Sequence, residues 1–367
     1  MQIPYVDLKK QYDFERKKLL KIIDNVLSQG TYVGGNEILK LETQLAKICN
    51  SKYAVTFNSG TDALTMALIL CGVKRGDEVI TPPNSFVAST ATIVHIGAKP
   101  VFVDVGDDQN IDPDLIEKKI TKKTKAIMPV HLTGRVCKMD KILRIARKFN
   151  LKVIEDSAQS IGSKFKNKSA GSFGDIGCFS THPLKNLNAM GDGGFFVTNN
   201  KSYYLKALSL RSHGIYKRNI IKNFGYVSRM DNLQAAILNF RLNNLENVIQ
   251  KRRNNVSIYL KHLEKKNYFF PKEKYEEFNT YHTFVIQVKN RKKLIKFLEQ
   301  KKISTAIHYP IPIHLQPAAK KLGYKKGDFP VTEKQSFEII TLPVNQFLSS
   351  KEIIYISKAI NSFYDKY

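Results

Sequence analysis

The stretch CFSTHPLKNLNAMGDGG, residues 178–194, sets a lysine, Lys185, between two short apolar runs. The runs at 176–179 and 195–198 are rich in strand formers, and the turn Gly191-Asp192-Gly193-Gly194 leads into the second. The pattern predicts strand, loop, strand, with the lysine on the loop. Most lysines are solvated surface charges, so this one gains meaning only from its surroundings.

Upstream, LKVIEDSAQ (151–159) reads as a buried strand ending on Asp156. An acid at that end either caps the next helix or meets a ligand. Further upstream, YAVTF (53–57) is a strand, followed by Asn58-Ser59-Gly60-Thr61-Asp62 and a helix over 63–70. Strand, small-residue turn and helix can present free backbone N–H groups to an anion, or Ser59 or Thr61 can simply cap the helix. The turn is neither a Walker loop nor a GxGxxG fingerprint. Strand-like runs at 78–82, 100–105, 126–130 and 151–155 alternate with helical segments such as 86–96 and 139–149. This alternation predicts an α/β fold with a mostly parallel sheet between helices, and ligands at the carboxyl ends of its strands.

The flanks are less regular. Residues 1–30 form an amphipathic helical arm through Leu19, Leu20, Ile22, Ile23, Val26 and Leu27, broken at Gly34-Gly35, and a second helix runs through Ile38, Leu41, Leu45 and Ile48. Downstream, helices are expected over 201–212 and 231–264. Composition shifts after Phe269-Phe270-Pro271. Strands are then expected at 281–288 and 304–308, and helices at 292–301, 333–337 and 350–364. A boundary near residue 245 divides a large domain (1–245) from a smaller C-terminal α+β domain (246–367).

Composition narrows the function classes. The apolar fraction, 43%, and charged fraction, 25%, suit an ordinary globular chain. No apolar run has the length of a membrane span, and MQIPYVDLKKQYDFERKK lacks a signal peptide's apolar core, so the cytosol is expected. Cys49, Cys71, Cys137 and Cys178 form no CxxC pair, and no histidine has metal-binding spacing, so no metal is expected. The net charge of +27 is unusual. Lysine outnumbers arginine about fourfold and the basic residues are spread out, with short runs such as Lys251-Arg252-Arg253 and Arg291-Lys292-Lys293 on helix ends or faces. That distribution favours compositional drift and attraction of an anionic substrate over nucleic-acid binding.

With these stretches in view, the sequence resembles the DegT/StrS-type family of pyridoxal-phosphate-dependent sugar aminotransferases. The resemblance runs in order through VDLKKQY, NSGTDAL, EVITPPNSFVASTATI with GAKPVFVDV, the long stretch VIEDSAQSIGSKFKNKSAGSFGDIGCFSTHPLKNLNAMGDGG, GYVSRMDNLQAAIL and IHYPIPIHLQP. It implies a fold-type-I, aspartate-aminotransferase-like large domain, a small C-terminal domain, and a homodimer with active sites at the subunit interface.

The same resemblance assigns roles. Lys185 would carry the cofactor through its amine and later shuttle a proton, chemistry open to a desolvated lysine. Asp156 would face the pyridine nitrogen and keep it protonated. Gln159 would lie beside the ring near its phenolic oxygen, Phe86 would stack on it, and Gly60, Thr61 and Ser180 would hold the phosphate. His182, Tyr216, Arg229, His308 and Tyr309 are substrate-side candidates. Two positions depart from the family pattern. Val227 stands where an asparagine usually reaches the partner subunit's cofactor phosphate, with Ser228 or Arg229 as possible substitutes. Ile161 stands where several enzymes aminating sugar carbon 3 carry a histidine; the PLKNLNAMGDGG loop resembles those carbon-3 enzymes, while His182 before the proline resembles enzymes acting on carbon 4, so the resemblance leaves both carbons open.

The implied reaction moves an amino group, from L-glutamate, through pyridoxamine phosphate to a keto group on a nucleotide-linked deoxysugar, for surface glycans or a related product. Rival readings are amination of a small phosphorylated ketone, a pyridoxal- or pyridoxamine-phosphate sugar dehydratase, and a basic nucleic-acid-binding or regulatory protein on the same fold. Lys185 and the lack of a cysteine cluster disfavour the dehydratase.

Overall fold

The computed structural model describes residues 2–366; Met1 and Tyr367, the outer bounds of the two expected domains, lie outside the described residues. The chain opens with helices α1 (Leu8–Gln29) and α2 (Asn36–Ile48) and then enters a central sheet. Strands β1 (Tyr53–Phe57), β2 (Glu78–Thr81), β3 (Lys99–Phe102), β4 (Thr124–Ile127) and β5 (Lys152–Asp156) come first. A small hairpin of β6 (Lys164–Phe165) and β7 (Lys168–Ser169) leaves the sheet, and β8 (Ile176–Ser180) and β9 (Gly194–Thr198) return to it. The order across the sheet is β1-β9-β8-β5-β4-β2-β3. Only β9 runs antiparallel to its neighbours.

Both faces of this sheet are apolar because successive residues of each strand point to opposite sides. On one face, Val55, Phe57, Ile154 and Phe196 pack on α3 (Gly60–Leu70), α4 (Val87–His95) and, further on, α6 (Lys201–Leu210). On the other, Ala54, Phe179, Phe195 and Val197 meet α2 and α7 (Asn232–Leu242), while α5 (Met139–Lys148) covers Ile80, Ile127 and Val153. Residues this deeply buried each contribute about 1.5–3 kcal/mol of transfer free energy.

After α6, the chain forms an exposed hairpin, β10 (Ile215–Lys217) and β11 (Ile220–Ile221). The single helix expected over 231–264 is two, α7 and α8 (Leu245–His262), parted at Asn243-Asn244. Short β12 (Glu277–Phe278) then pairs with β6. A second core follows, built on the antiparallel pair β13 (Phe284–Gln287) and β14 (Ile339–Leu342) with α8, α9 (Arg291–Gln300) and α11 (Ser350–Tyr364). Ile3, from the far end of the chain, is buried in this core and bridges to Ile303. α10 (Pro330–Glu338) leads into β14.

Two expectations are corrected. No strand forms over 304–308; a lone bridge joins Ala306 to Thr341, and Pro310 and Pro312 soon remove backbone donors. The strand at Ile339–Leu342 was not expected, because its four residues directly follow a helix and are too few for periodicity to register. Among the described residues no helix is long and apolar enough to cross a membrane, and no group of three His, Cys, Asp or Glu side chains could hold a metal ion.

Candidate active site

The lysine loop is fixed at both ends by backbone. The Thr181 N–H donates to the Gly193 carbonyl at 2.8 Å, and the Ala189 N–H donates to the Thr181 carbonyl at 2.7 Å. Within it, the Lys185 N–H reaches the His182 carbonyl at 2.8 Å. Asn188 exchanges hydrogen bonds with Gln11 of α1 at 3.1 Å in each direction, and Asn186 donates to the Thr280 carbonyl at 3.2 Å. The loop 181–193 is thereby held in one shape, with Lys185 lining a cavity of about 350 Å³.

Small residues bring the N-terminus of α3 against the ends of β8 and β9. A Cβ on Gly194 would lie 2.3 Å from the Gly60 nitrogen and 2.4 Å from the Ser59 carbonyl carbon. One on Gly60 would lie 2.7 Å from Ser180 Cβ. Gly194→Ala is therefore expected to destabilise the fold by about 1–3 kcal/mol, since backbone cannot yield as a side chain can. Thermal unfolding measures this, with Gly106→Ala, whose added Cβ meets only Asp108 Oδ1 at 3.3 Å, as the milder comparison. Ser59 caps α3 by accepting the Asp62 N–H at 3.1 Å. The first two residues of the helix, Gly60 and Thr61, also line the cavity, and N–H groups in a first turn have no acceptor within the helix. The turn is thus both a cap and an anion cradle.

Asp156 ends β5 and is buried at the same cavity. Its carboxylate accepts the Ser89 hydroxyl at 2.7 Å and the Ala158 N–H at 3.1 Å. Gln159 is held by the Thr133 N–H at 2.7 Å on its oxygen, and its amide donates to Tyr309 Oη at 3.2 Å. Phe86, at the start of α4, is exposed toward solvent, and its ring centroid is 6.0 Å from that of Tyr309. Ser180 and His182 complete the lining on the loop side.

Burial decides the electrostatics. Desolvation pulls the Lys185 ammonium down to about 8, against the opposing pull of Asp156. The residue is only partly buried, because it borders the cavity; the walls remove most of its water all the same. His308 falls to about 4, through burial and then Lys185, with its Nδ1 2.9 Å from Thr341 Oγ1. His282 is held well below the usual histidine range by burial, Lys185 and Arg252. The two imidazoles are neutral at pH 7, while burial raises the Tyr309 phenol.

A sequence profile of the DegT/DnrJ/EryC1/StrS aminotransferase family matches residues 13–361. The dTDP-3-amino-3,6-dideoxy-alpha-D-galactopyranose transaminase of Aneurinibacillus thermoaerophilus is 39% identical over 364 residues, 98% of this chain and 99% of that protein. The chain belongs to this aminotransferase family. Among solved structures, DesV of S. venezuelae, in complex with a ketimine intermediate, superposes with a TM-score of 0.96 at 33% identity, over 99% of this chain and 98% of its own. The structure of ntda from Bacillus subtilis with bound PMP superposes with a TM-score of 0.91 at 30% identity, over 98% of this chain and 85% of its own.

For an aminotransferase the next question is which expected residues share the cavity. Gly60, Thr61, Phe86, Asp156, Gln159, Ser180, His182, Lys185, His308 and Tyr309 all line it. Tyr216 and Arg229 do not: Tyr216 is exposed on β10, and Arg229 is exposed just before α7. Val227 is exposed and Ser228 donates to Asn58 Oδ1 at 3.2 Å within its own chain. Ile161 is buried in the core beside α2 and α7 rather than at the cavity. The lining also includes Tyr5, Arg252, His282 and Asn345, which the sequence reading did not single out as site residues. Arg252 and Arg291, read as parts of surface basic runs, are both buried.

These residues suit pyridoxal phosphate. The structure offers a desolvated amine with no carboxylate in ion-pair distance among the described residues, a buried carboxylate, and a helix N-terminus that the glycines hold open beside them.

Proposed function

We propose that this aminotransferase, working with pyridoxal phosphate, moves an amino group from L-glutamate to a keto group of a nucleotide-linked deoxysugar. The observation that carries the reading is that Lys185, Asp156 and the α3 N-terminus border one cavity. When bound, the cofactor supplies an electron sink for the carbon that loses or gains a proton.

The chain's own residues do the rest. Gly60, Thr61 and Ser180 bind the phosphate. Asp156, locked by Ser89 and Ala158, holds a proton at the pyridine nitrogen through a charge-assisted hydrogen bond. Gln159, oriented by Thr133 and Tyr309, and Phe86 both line the cavity and would hold the ring between them and the loop. Lys185, whose amine is free above about pH 8, would hold the cofactor and, once released from it, would remove or return a proton at the substrate carbon in each half-reaction. His308 and Tyr309 orient the sugar, and the net charge of +27 draws in its diphosphate.

The proposed assembly is a homodimer. Phe86 and Leu184 are apolar, exposed and line the cavity, and Phe224, Tyr226 and Val227 are exposed apolar side chains by the β10–β11 hairpin; burial against a second copy would explain them. Tyr216 and Arg229 would then serve the partner's cavity. Light scattering on the purified protein is expected to give twice the chain's mass; a monomer would count against this part.

The substrate is tested by offering dTDP-, UDP- and GDP-linked keto-sugars and small phosphorylated ketones to the pyridoxamine-phosphate form. Amination of a nucleotide-linked ketone is expected; turnover of the small ketones alone would contradict the reading. A pH prediction follows from Lys185. Its amine is protonated below about pH 8 and free above it, so the rate of cofactor loading onto the apo-protein should rise from pH 6 to 8 and level off near pH 9. A rate still climbing tenfold per pH unit at pH 10 would place the amine at an ordinary lysine value.

A further inference from the structure

Four arginines that reach into the fold end on a carboxylate. Arg135 meets Glu277 at 2.9 Å, Arg211 meets Glu42 at 2.5 Å, and Arg241 meets Glu15 and Arg253 meets Glu273 at 2.7 Å. Arg252 differs. It is 5% exposed, borders the cavity that holds Lys185, and has no carboxylate within ion-pair distance among the described residues. One terminal nitrogen donates to the carbonyls of Tyr281 at 3.3 Å and His282 at 3.1 Å, the other to Gln346 Oε1 at 3.3 Å, and Nε has no acceptor. These are long bonds to neutral oxygens. Burial lowers the Arg252 pKa, yet a guanidinium stays charged at neutral pH. A buried charge without a counter-ion is costly, and the usual remedy is an anion. Arg291 also has no carboxylate in ion-pair distance among the described residues, but it lies on α9 away from the cavity and donates to the Ser336 and Ile339 carbonyls.

The same wall carries His282, buried and with Nδ1 unpartnered, and also Tyr5 and Asn345. This polar end belongs to α8, the N-terminal segment and the approaches to β13 and α11, whereas the phosphate cradle belongs to α3.

We infer that Arg252 receives a carboxylate of the amino-acid donor in this cavity. The inference rests on the amino-transfer reading above and adds to it the residue that recognises the donor. A planar guanidinium matches a planar carboxylate with two parallel hydrogen bonds. A diphosphate carries a nucleotide with it and needs an open mouth, which a side chain 5% exposed does not offer. A sugar uronate would bring the same chemistry, so the test separates the two sources.

The experiment titrates the pyridoxal-phosphate-loaded protein calorimetrically with glutarate, a dicarboxylate that cannot react, and with D-glucuronate. Wild type, Arg252→Gln and Arg252→Lys are compared. Glutarate is expected to bind wild type, to bind Arg252→Gln at least about tenfold more weakly, and to recover in part with Arg252→Lys, with D-glucuronate indifferent to all three. Equal glutarate affinity in a folded Arg252→Gln protein, no glutarate binding to wild type, or Arg252-dependent binding of D-glucuronate alone would each overturn the inference. Because the glutamine variant also loses bonds to two backbone carbonyls, wild-type crystals soaked in glutarate give an independent answer. A carboxylate oxygen on the guanidinium is expected, and density with both carboxylates elsewhere is fatal. If the cofactor band forms through Lys185 while glutarate ignores Arg252, only this inference fails. If wild type forms no band, the amino-transfer reading fails and takes the inference with it.

Discussion

Lys185→Ala is expected to leave a folded protein that loses transaminase activity by at least about 10³-fold, because attachment of the cofactor and proton transfer at the reacting carbon vanish together. Lys185 is a helpful residue to truncate. Among the described residues it makes no ion pair, and the loop around it is held by the Thr181–Gly193, Thr181–Ala189 and Gln11–Asn188 bonds, none of which uses its side chain. The visible absorption of the cofactor-loaded protein should shift to that of free pyridoxal phosphate, while thermal unfolding of the apo-protein changes little. Exogenous small amines are expected to restore part of the proton transfer. A variant that retains most of its activity would show that another base does the work.

Asp156→Asn is expected to cost about 10²-fold or more in kcat, the scale on which one preorganised electrostatic partner acts. Asparagine has the size of aspartate and can keep the Ser89 and Ala158 contacts, so the loss isolates charge from shape. Cofactor loading should survive, since phosphate and amine sites are intact, and both half-reactions should slow together. Rapid-mixing kinetics of each half-reaction measure this. An unchanged rate would mean that the ring nitrogen needs no carboxylate, and the chemical role of Asp156 would fall.

How much of this could be read before the structure depended on the kind of signal each residue carried. Asp156 stood out because it ends a buried apolar strand, and Lys185 because it sits on the loop beyond another, but the roles given to both came from the family resemblance. The central sheet was legible for the same reason: β2, β4 and β5 are apolar runs between helical segments. Arg252 was hidden by its neighbours. In Lys251-Arg252-Arg253 it looks like surface charge, yet Leu245, Ile249, Arg252, Val256 and Tyr259 are among the buried residues of α8 and follow helical spacing. An arginine on that apolar stripe was the available clue. Tyr5 carried no such clue, because an isolated tyrosine near a terminus has no periodic partners; it reaches the cavity beside Asn345, whose amide donates to the Tyr5 carbonyl at 3.3 Å. Tyr216 and Arg229 mark a different limit. Both were named from the family resemblance, and they lie exposed outside the cavity of their own chain.

The central claim is a bond between pyridoxal phosphate and one particular lysine among many. Borohydride reduction of the loaded protein, then proteolysis and peptide mass spectrometry, tests it directly. The pyridoxyl mass is expected on the peptide containing Lys185 and at one equivalent per chain. Label spread over surface lysines, or a Lys185 peptide of unmodified mass, would contradict the account.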